Sequence, residues 1–319
     1  MPSIKNPPYQ VKSPVLFVIF NRPQFAQKVF AQIKEAKPKR LYIAADGPRS
    51  DFPDDKSLCM QARDIVSVNN IDWECEVKTL FRDENVGCKG GVSSAADWFF
   101  SLEDEGIILE DDCLPANSFF KFCDVMLEKY RNDTRIRHIT GCNLQHGKKW
   151  GSGSYYFSNM THVWGWASWQ RAWKAYDRTL GKYSETDAKA LLSTIFEDRL
   201  IVDSWVNIFN EVKAGKIDAW GYQLDFANYF NNGLTIIPNQ NLISNIGFGA
   251  NATHTLDAQS LYANIPLTEM MEIVDPLSIS PEKQADLIVL TRDFNIEEKL
   301  RRENSLGRRV KKWLTGRRN

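Results

Sequence analysis

The chain has no surplus of either charge: 40 Lys and Arg face 40 Asp and Glu over 319 residues. Nucleic-acid binders normally present a basic excess to the phosphate backbone, so nucleic acid is not an expected partner. No run of about eighteen apolar residues occurs, which leaves nothing to span a bilayer. The N-terminal stretch Met1-Pro2-Ser3-Ile4-Lys5-Asn6-Pro7-Pro8 lacks an apolar signal core. The cysteines Cys59, Cys75, Cys88, Cys113, Cys123 and Cys142 form no C-x-x-C pair, and no histidine stands at zinc-finger spacing. Most lie among apolar neighbours, as buried free thiols do, so they read as reduced and the protein as cytoplasmic. There is no internal repeat and no low-complexity linker. The length fits one large or two intimately joined domains.

What is present is apolar and aromatic: 43% of residues are hydrophobic and ten are tryptophan. The most informative stretch is Gly106-Ile107-Ile108-Leu109-Glu110-Asp111-Asp112-Cys113-Leu114-Pro115. An apolar strand ends there in three consecutive carboxylates before a proline turns the chain. Like charges crowded at the end of a buried strand repel one another unless a cation sits among them. Hard divalent cations prefer oxygen ligands and bridge one or two carboxylates to a phosphate. The triplet therefore reads as a metal-diphosphate site at the carboxyl end of a strand, where open α/β sheets bind ligands. The plainer alternative is a solvated acidic turn.

Residues 1–13 form a polar, proline-bearing arm. Val15–Phe20 and Arg40–Ala45 read as buried strands, and Cys75–Phe81 and Ile107–Leu109 as further strands. Between them, Gln24–Ala36, Ser57–Asn69 and Lys89–Glu103 carry helical spacing. This β-α-β-α-β-α-β order predicts a mostly parallel sheet flanked by helices. Ser118–Tyr130 reads as an amphipathic helix and Ile136–Gly141 as a short strand. Beyond lie a Gly/Ser/Tyr loop at 147–157, an aromatic segment at 162–176, helices around 187–214 and another near 221–231.

Polar residues collect at the same predicted sheet edge as the acids. Asn21 and Arg22 follow the first strand, and Arg22 suits a phosphate. Asp46 follows the second and is placed to accept from a base or ribose. Arg82 opens the run Arg82-Asp83-Glu84-Asn85-Val86-Gly87-Cys88-Lys89-Gly90-Gly91 after the third, where glycines permit close backbone approach and a helix N-terminus offers N–H groups to an anion.

Five stretches carry a resemblance: Pro14–Pro23 (PVLFVIFNRP), Ala44–Pro48 (AADGP), Glu110–Phe122 (EDDCLPANSFFKF), Val163–Tyr176 (VWGWASWQRAWKAY) and Gly233–Gly249 (GLTIIPNQNLISNIGFG). Over residues 14–255 the chain resembles the GT-A glycosyltransferases. Within them it is most similar to bacterial sugar transferases that resemble the N-acetylglucosaminyltransferase I family. The resemblance implies a GT-A (Rossmann-like) α/β fold, with residues 14–145 as the nucleotide-sugar half and 146–298 as the acceptor-side half; 299–319 reads by composition as a basic tail. It implies a nucleoside diphosphate sugar donor, a glycan or lipid-linked acceptor, and Mn²⁺ or Mg²⁺ as cofactor. Carried residue by residue, Arg22 would contact the diphosphate and Asp46 would face a uracil-like base. Asp112 would ligate the metal, Asp111 would meet the ribose or a metal-bound water, and Glu110 would lie beneath the donor sugar.

The pattern fails at one place. The family's general base is an Asp directly after the tryptophan matching Trp220, and here that position is Gly221. An inverting transfer needs a group to take the acceptor proton. Asp225, Asp218 and Asp203 are the candidates, and each equally suits a helix surface. Trp164 and Trp166 are expected to meet sugar. Trp169 and Trp173, at helical spacing from Trp166, suit the core. His254, after a Gly-rich stretch, is a candidate third metal ligand or phosphate contact. The tail from Lys299 holds nine Lys and Arg against Glu303 alone, a composition that fits either a solvated end or a basic helix lying on anionic lipid. Two rival functions stand beside glycosyl transfer. One is a non-catalytic nucleotide-sugar or glycan binder, favoured by Gly221. The other is a nucleotidyltransferase, which would ordinarily carry a glycine in the loop that here reads Phe20-Asn21-Arg22-Pro23.

Overall fold

A computed structural model describes residues 8–249 and 260–304. The first half runs β1 (Val15–Ile19), α1 (Pro23–Ala36), β2 (Arg40–Ala45), α2 (Asp55–Ile65), β3 (Glu76–Phe81), α3 (Gly87–Leu102) and β4 (Glu105–Glu110). Then come β5 (Cys113–Pro115), α4 (Asn117–Tyr130), β6 (Ile136–Thr140), β7 (Tyr155–Ser158), β8 (Trp166–Trp169) and α5 (Gln170–Trp173). The chain continues through α6 (Glu185–Ile195), α7 (Arg199–Lys213), α8 (Gly221–Tyr229), β9 (Leu234–Pro238), β10 (Ile243–Asn245), α9 (Lys283–Asp293) and α10 (Ile296–Asn304).

Eight strands form one sheet in the order β3-β2-β1-β4-β8-β6-β9-β7. The strands β1 to β4 are parallel neighbours, β8 runs antiparallel between β4 and β6, β9 is parallel to β6, and β7 closes the far edge antiparallel. The mixed α/β architecture with a mainly parallel sheet is the one expected. Alternation along each strand assigns the two faces. Val15, Phe17 and Ile19 pack with α1 and α4, while Leu16, Tyr42, Ala44 and Ile108 pack with α3 through Val92, Ala95, Ala96, Phe99 and Phe100. The runs read as continuously apolar because both faces are covered. Pro23 sits at the first position of α1, where its missing N–H costs nothing.

Register sets up the site. Ile19 lies abreast of Ala45, Ala45 abreast of Phe81, and Val18 abreast of Glu110. The residues that follow each strand therefore emerge along one edge. A two-stranded ribbon, β5 with β10, lies beside that edge.

The second half differs from the sequence reading in two places. Trp166 to Trp169 is a strand rather than a helix start, so these two residues, three apart, point to opposite faces. Trp166 joins the α3 side and Trp169 the α4 side. The Gly/Ser/Tyr loop ends in β7. A separate apolar cluster joins α6, α7 and α8 to α9 and α10 around Trp205, Phe209, Phe226 and Tyr229. All six cysteines are free. No described helix is long and apolar enough to cross a membrane.

Candidate active site

At the end of β1, Arg22 turns back onto the acids. Its Nη1 donates to Asp112 Oδ2 at 2.9 Å, and its Nη2 donates to Asp111 Oδ1. The Phe20 amide donates to Asp111 Oδ2 at 3.1 Å. Like charges at a buried strand end do have a cation among them, and here a guanidinium supplies it. Burial alone would lower the Arg22 pKa, but Asp111 and Asp112 outweigh it and raise it. Asp111 is pushed up to about 6, by burial first, with Arg22 holding it down and Asp112 opposing. Glu110 reaches about 8 because burial, then Asp112 and Asp111, disfavour its charged form. The segment after β10 closes over this pair. A Cβ on Gly247 would stand 2.3 Å from Asp112 Oδ2 and 2.8 Å from Arg22 Nη1, so only glycine passes there.

Asp46 has a structural task. Its Oδ1 accepts from the Gly47 amide at 3.0 Å, and its Oδ2 accepts from Asn85 Nδ2 at 3.0 Å. The Val86 amide reaches both oxygens, at 3.2 and 3.1 Å. Asp46 thus ties the end of β2 to the turn entering α3. That turn needs Gly87, whose φ is +77°. The free helix N-terminus expected here is partly taken, since the Lys89 amide donates to Asp218 Oδ1 at 3.2 Å. Arg82 donates through Nη2 to Ser94 Oγ at 2.9 Å. Asn21 donates to Asp55 Oδ1 at 2.7 Å, and Arg49 grips the same carboxylate through Nε (2.6 Å) and Nη2 (3.0 Å) while lying 3.6 Å over the Phe52 ring.

These groups bound a cavity of about 210 Å³ lined by Phe20, Asn21, Arg22, Asp46, Arg49, Arg82, Asn85, Glu110, Asp111 and Asp218. A second groove of about 510 Å³ shares Arg22, Cys88 and Glu110 with it and adds Asp112, Thr161, Trp164, Trp220, Gly221, Tyr222, Asp225 and Asn245. Asp225, on α8, is 6% exposed. Its Oδ1 accepts from the Thr161 amide at 3.1 Å and from the Thr161 hydroxyl. Its Oδ2 accepts from no described residue and is not sealed from solvent. Burial lifts its pKa to about 7, and the Thr161 bonds limit the rise.

Several expectations are corrected. Trp166 is fully buried, stacked 5.4 Å from His138 and 5.9 Å from Trp173, and meets no groove. Asp203 is half-exposed on α7, paired with Arg199 at 3.0 Å and Lys189 at 3.7 Å, and lines neither cavity. Trp164 does line the groove, half-buried, with Tyr262 and Phe248 edge-on to it. His254 and the tail beyond residue 304 lie outside the described residues. The sequence reading missed Thr161, Arg49, Asn85 and Gly247. Asn85 and Arg49 stand in the turns after β3 and β2, the same sheet edge that carries Arg82 and Asp46. Nothing local marked Thr161.

Among the described residues no three His, Cys, Asp or Glu side chains form a metal-holding group. A site completed by phosphates needs fewer protein ligands. Asp112 meets that need: its Oδ1 takes only a thiol contact from Cys113 at 3.5 Å, and the residue borders the groove.

No protein-family model matches the sequence, and no curated protein matches it. Similar solved structures include a UDP-glucose pyrophosphorylase complexed with UDP-glucose, at 12% identity and TM-score 0.34, over 54% of this chain and 81% of that one. HddC from Yersinia pseudotuberculosis matches at 8% identity and TM-score 0.30, over 51% and 80%. Mouse xyloside xylosyltransferase 1 matches at 11% identity and TM-score 0.30, over 67% and 80%. Their names place a UDP-sugar complex and a glycosyltransferase among the neighbours. At scores this low they carry no argument about this chain's reaction, and none shows the N-acetylglucosaminyltransferase I family.

Proposed function

We propose that the chain is a divalent-metal-dependent glycosyltransferase. It moves a sugar from a nucleoside diphosphate donor, a UDP-sugar, to a hydroxyl of a glycan or lipid-linked acceptor, with inversion. One observation carries this reading. A buried carboxylate titrating near neutrality, Asp225, keeps one oxygen open to a groove that shares its wall with Arg22 and the acidic triplet. General bases work best with a pKa near the operating pH.

In this reading the 210 Å³ cavity takes the nucleoside, with Asp46 and Asn85 beside the base. Arg22 exchanges its carboxylates for the diphosphate, a fork-shaped donor meeting phosphate oxygens. Asp112, backed by Asp111, would hold Mn²⁺ or Mg²⁺, which when bound neutralises charge on the departing diphosphate. Glu110 lies under the donor sugar. Asp225 Oδ2 takes the proton of the acceptor hydroxyl as that oxygen bonds to the anomeric carbon from the face opposite the leaving group. The anomeric C–O bond breaks and its electron pair leaves with the diphosphate. Thr161, fixing Oδ1, aims Oδ2.

Gly221 does not empty the site of a base, because Asp225 stands one helical turn further on. Thermal melting of the full chain with a panel of nucleotides and nucleotide sugars tests the reading. UDP compounds should raise the melting temperature, and only with Mn²⁺ or Mg²⁺ present. Stabilisation by no nucleotide would refute the donor assignment, and stabilisation indifferent to metal would refute the metal.

A further inference from the structure

Among its described residues, the groove that holds Asp225 has one cation on its wall and none to spare. Among the described residues lining it, Arg22 alone is positively charged, and both ends of its guanidinium are on Asp111 and Asp112. Glu110, Asp112 and Asp225 border the same space. Asp218 adds a further carboxylate to the adjoining cavity, at the entry to α3. The groove's other polar groups are neutral. Asn245 Nδ2, the indole N–H groups of Trp164 and Trp220 and the Tyr222 hydroxyl are paired with no described residue, and none of these atoms is sealed from solvent. Uncharged donors between aromatic faces suit sugar hydroxyls and the C–H face of a pyranose. They offer nothing to balance a carboxylate, sulfate or phosphate.

We infer that the groove selects an acceptor that is an uncharged sugar at its reacting residue, and excludes uronates and sugar phosphates there. The inference rests on the proposed glycosyl transfer and deepens it. With a donor seated, Arg22 is engaged by the diphosphate, so loading the site frees no cation for the acceptor. Asp225 then faces the incoming ring, and a negative charge on that ring meets it in a desolvated place. Like-charge juxtaposition of this kind lowers affinity by about tenfold or more. The same reasoning removes a seat for the sugar 1-phosphate that a nucleotidyltransferase would need.

Saturation-transfer NMR at pH 8.5, where Asp225 is ionised, on the full chain loaded with UDP and diamagnetic Mg²⁺ tests this with matched methyl glycosides. The pairs are β-glucoside with β-glucuronide and β-galactoside with β-galacturonide, and glucose 1-phosphate is the anionic control. At least one neutral glycoside should bind, its uronide about tenfold or more weaker, and glucose 1-phosphate not at all. Trp164→Ala should remove the neutral signal. Asp225→Asn should bring the uronide to within about threefold of its neutral partner, because the repelling charge is gone. Equal binding of a uronide by the unaltered chain, or binding of glucose 1-phosphate, overturns the inference. So does binding of no glycoside while UDP still binds. Failure of UDP itself to bind is a different result, and it refutes the donor reading beneath.

Discussion

Asp225→Asn is expected to make the protein more stable and less active. The carboxyl's pKa is about 7 in the fold against an ordinary 3.8, a difference of about three pH units. At 1.36 kcal/mol per unit, burying the ionised form costs roughly 4 kcal/mol above pH 7 relative to a site that stays neutral. The sign follows from proton counting. The folded pKa is the higher, so between pH 4 and 7 the native chain holds more protons than the unfolded one. Stability therefore falls as the pH rises through that window and levels off above it. Asparagine keeps an oxygen for the Thr161 amide and hydroxyl and carries no charge. At pH 8 the variant should gain roughly 2–4 kcal/mol, or about 3–6 °C in melting temperature for a chain of this size. The gain should shrink steadily as the pH is lowered from 7 towards 4. Circular-dichroism melts of both proteins across pH 5 to 8 measure it. A variant that melts below the unaltered protein at pH 8, or gains equally at every pH, would refute the reasoning. Buried charge kept at such a cost is the stability–activity conflict expected of a working base.

Asp112→Ala should abolish Mn²⁺-dependent UDP binding in calorimetry while the melt stays cooperative, since one wall of the site is lost but no core. Gly247→Ala should weaken UDP binding by displacing Arg22 and Asp112. The added methyl lands 2.3 Å from Asp112 Oδ2 and must drive Arg22 and Asp112 apart, an overpacking worth about 1–3 kcal/mol. Trp166→Ala should cost about 3–5 kcal/mol of stability as a core truncation, whereas Trp164→Ala should cost clearly less, because Trp164 is half-buried against Phe248 and Tyr262. Equal losses in denaturant titrations would contradict the assignment of one tryptophan to the core and the other to the groove.

The first half of the fold was legible because its central strands, β1, β2 and β4, are buried on both faces, with only the edge strand β3 left largely exposed. Val15, Leu16, Phe17, Val18 and Ile19 form an unbroken apolar run between breakers, and the alternating order of strands and helices leaves few topologies. The edge that gathers Arg22, Asp46 and the acids followed from that order. The second half was less legible for physical reasons. Trp166, Trp169 and Trp173 stand at intervals a helix would use, yet pairing of Trp166 to Trp169 with β4 on one side and β6 on the other makes the first two a strand. Short strands such as Tyr155–Ser158 next to glycines carry too few residues for a period to register. Site roles were harder still, because residue type does not say which partner is nearest. Arg22 reads as a phosphate ligand and is found gripping two carboxylates. Asp46 reads as a base contact and is found holding a turn. Thr161 became visible only once the fold brought it, 64 positions away in sequence, against Asp225.

The central claim is transfer from a UDP-sugar with Asp225 taking the acceptor proton. Release of UDP from a panel of UDP-sugars with Mn²⁺, in the presence of pooled neutral glycosides, tests it most directly. The account predicts glycoside-stimulated UDP release from at least one donor, reduced about 10²–10⁴-fold in Asp225→Asn with UDP affinity nearly unchanged. Full activity in Asp225→Asn would contradict the account, as would pyrophosphate release from UTP and a sugar 1-phosphate with no UDP released from any UDP-sugar.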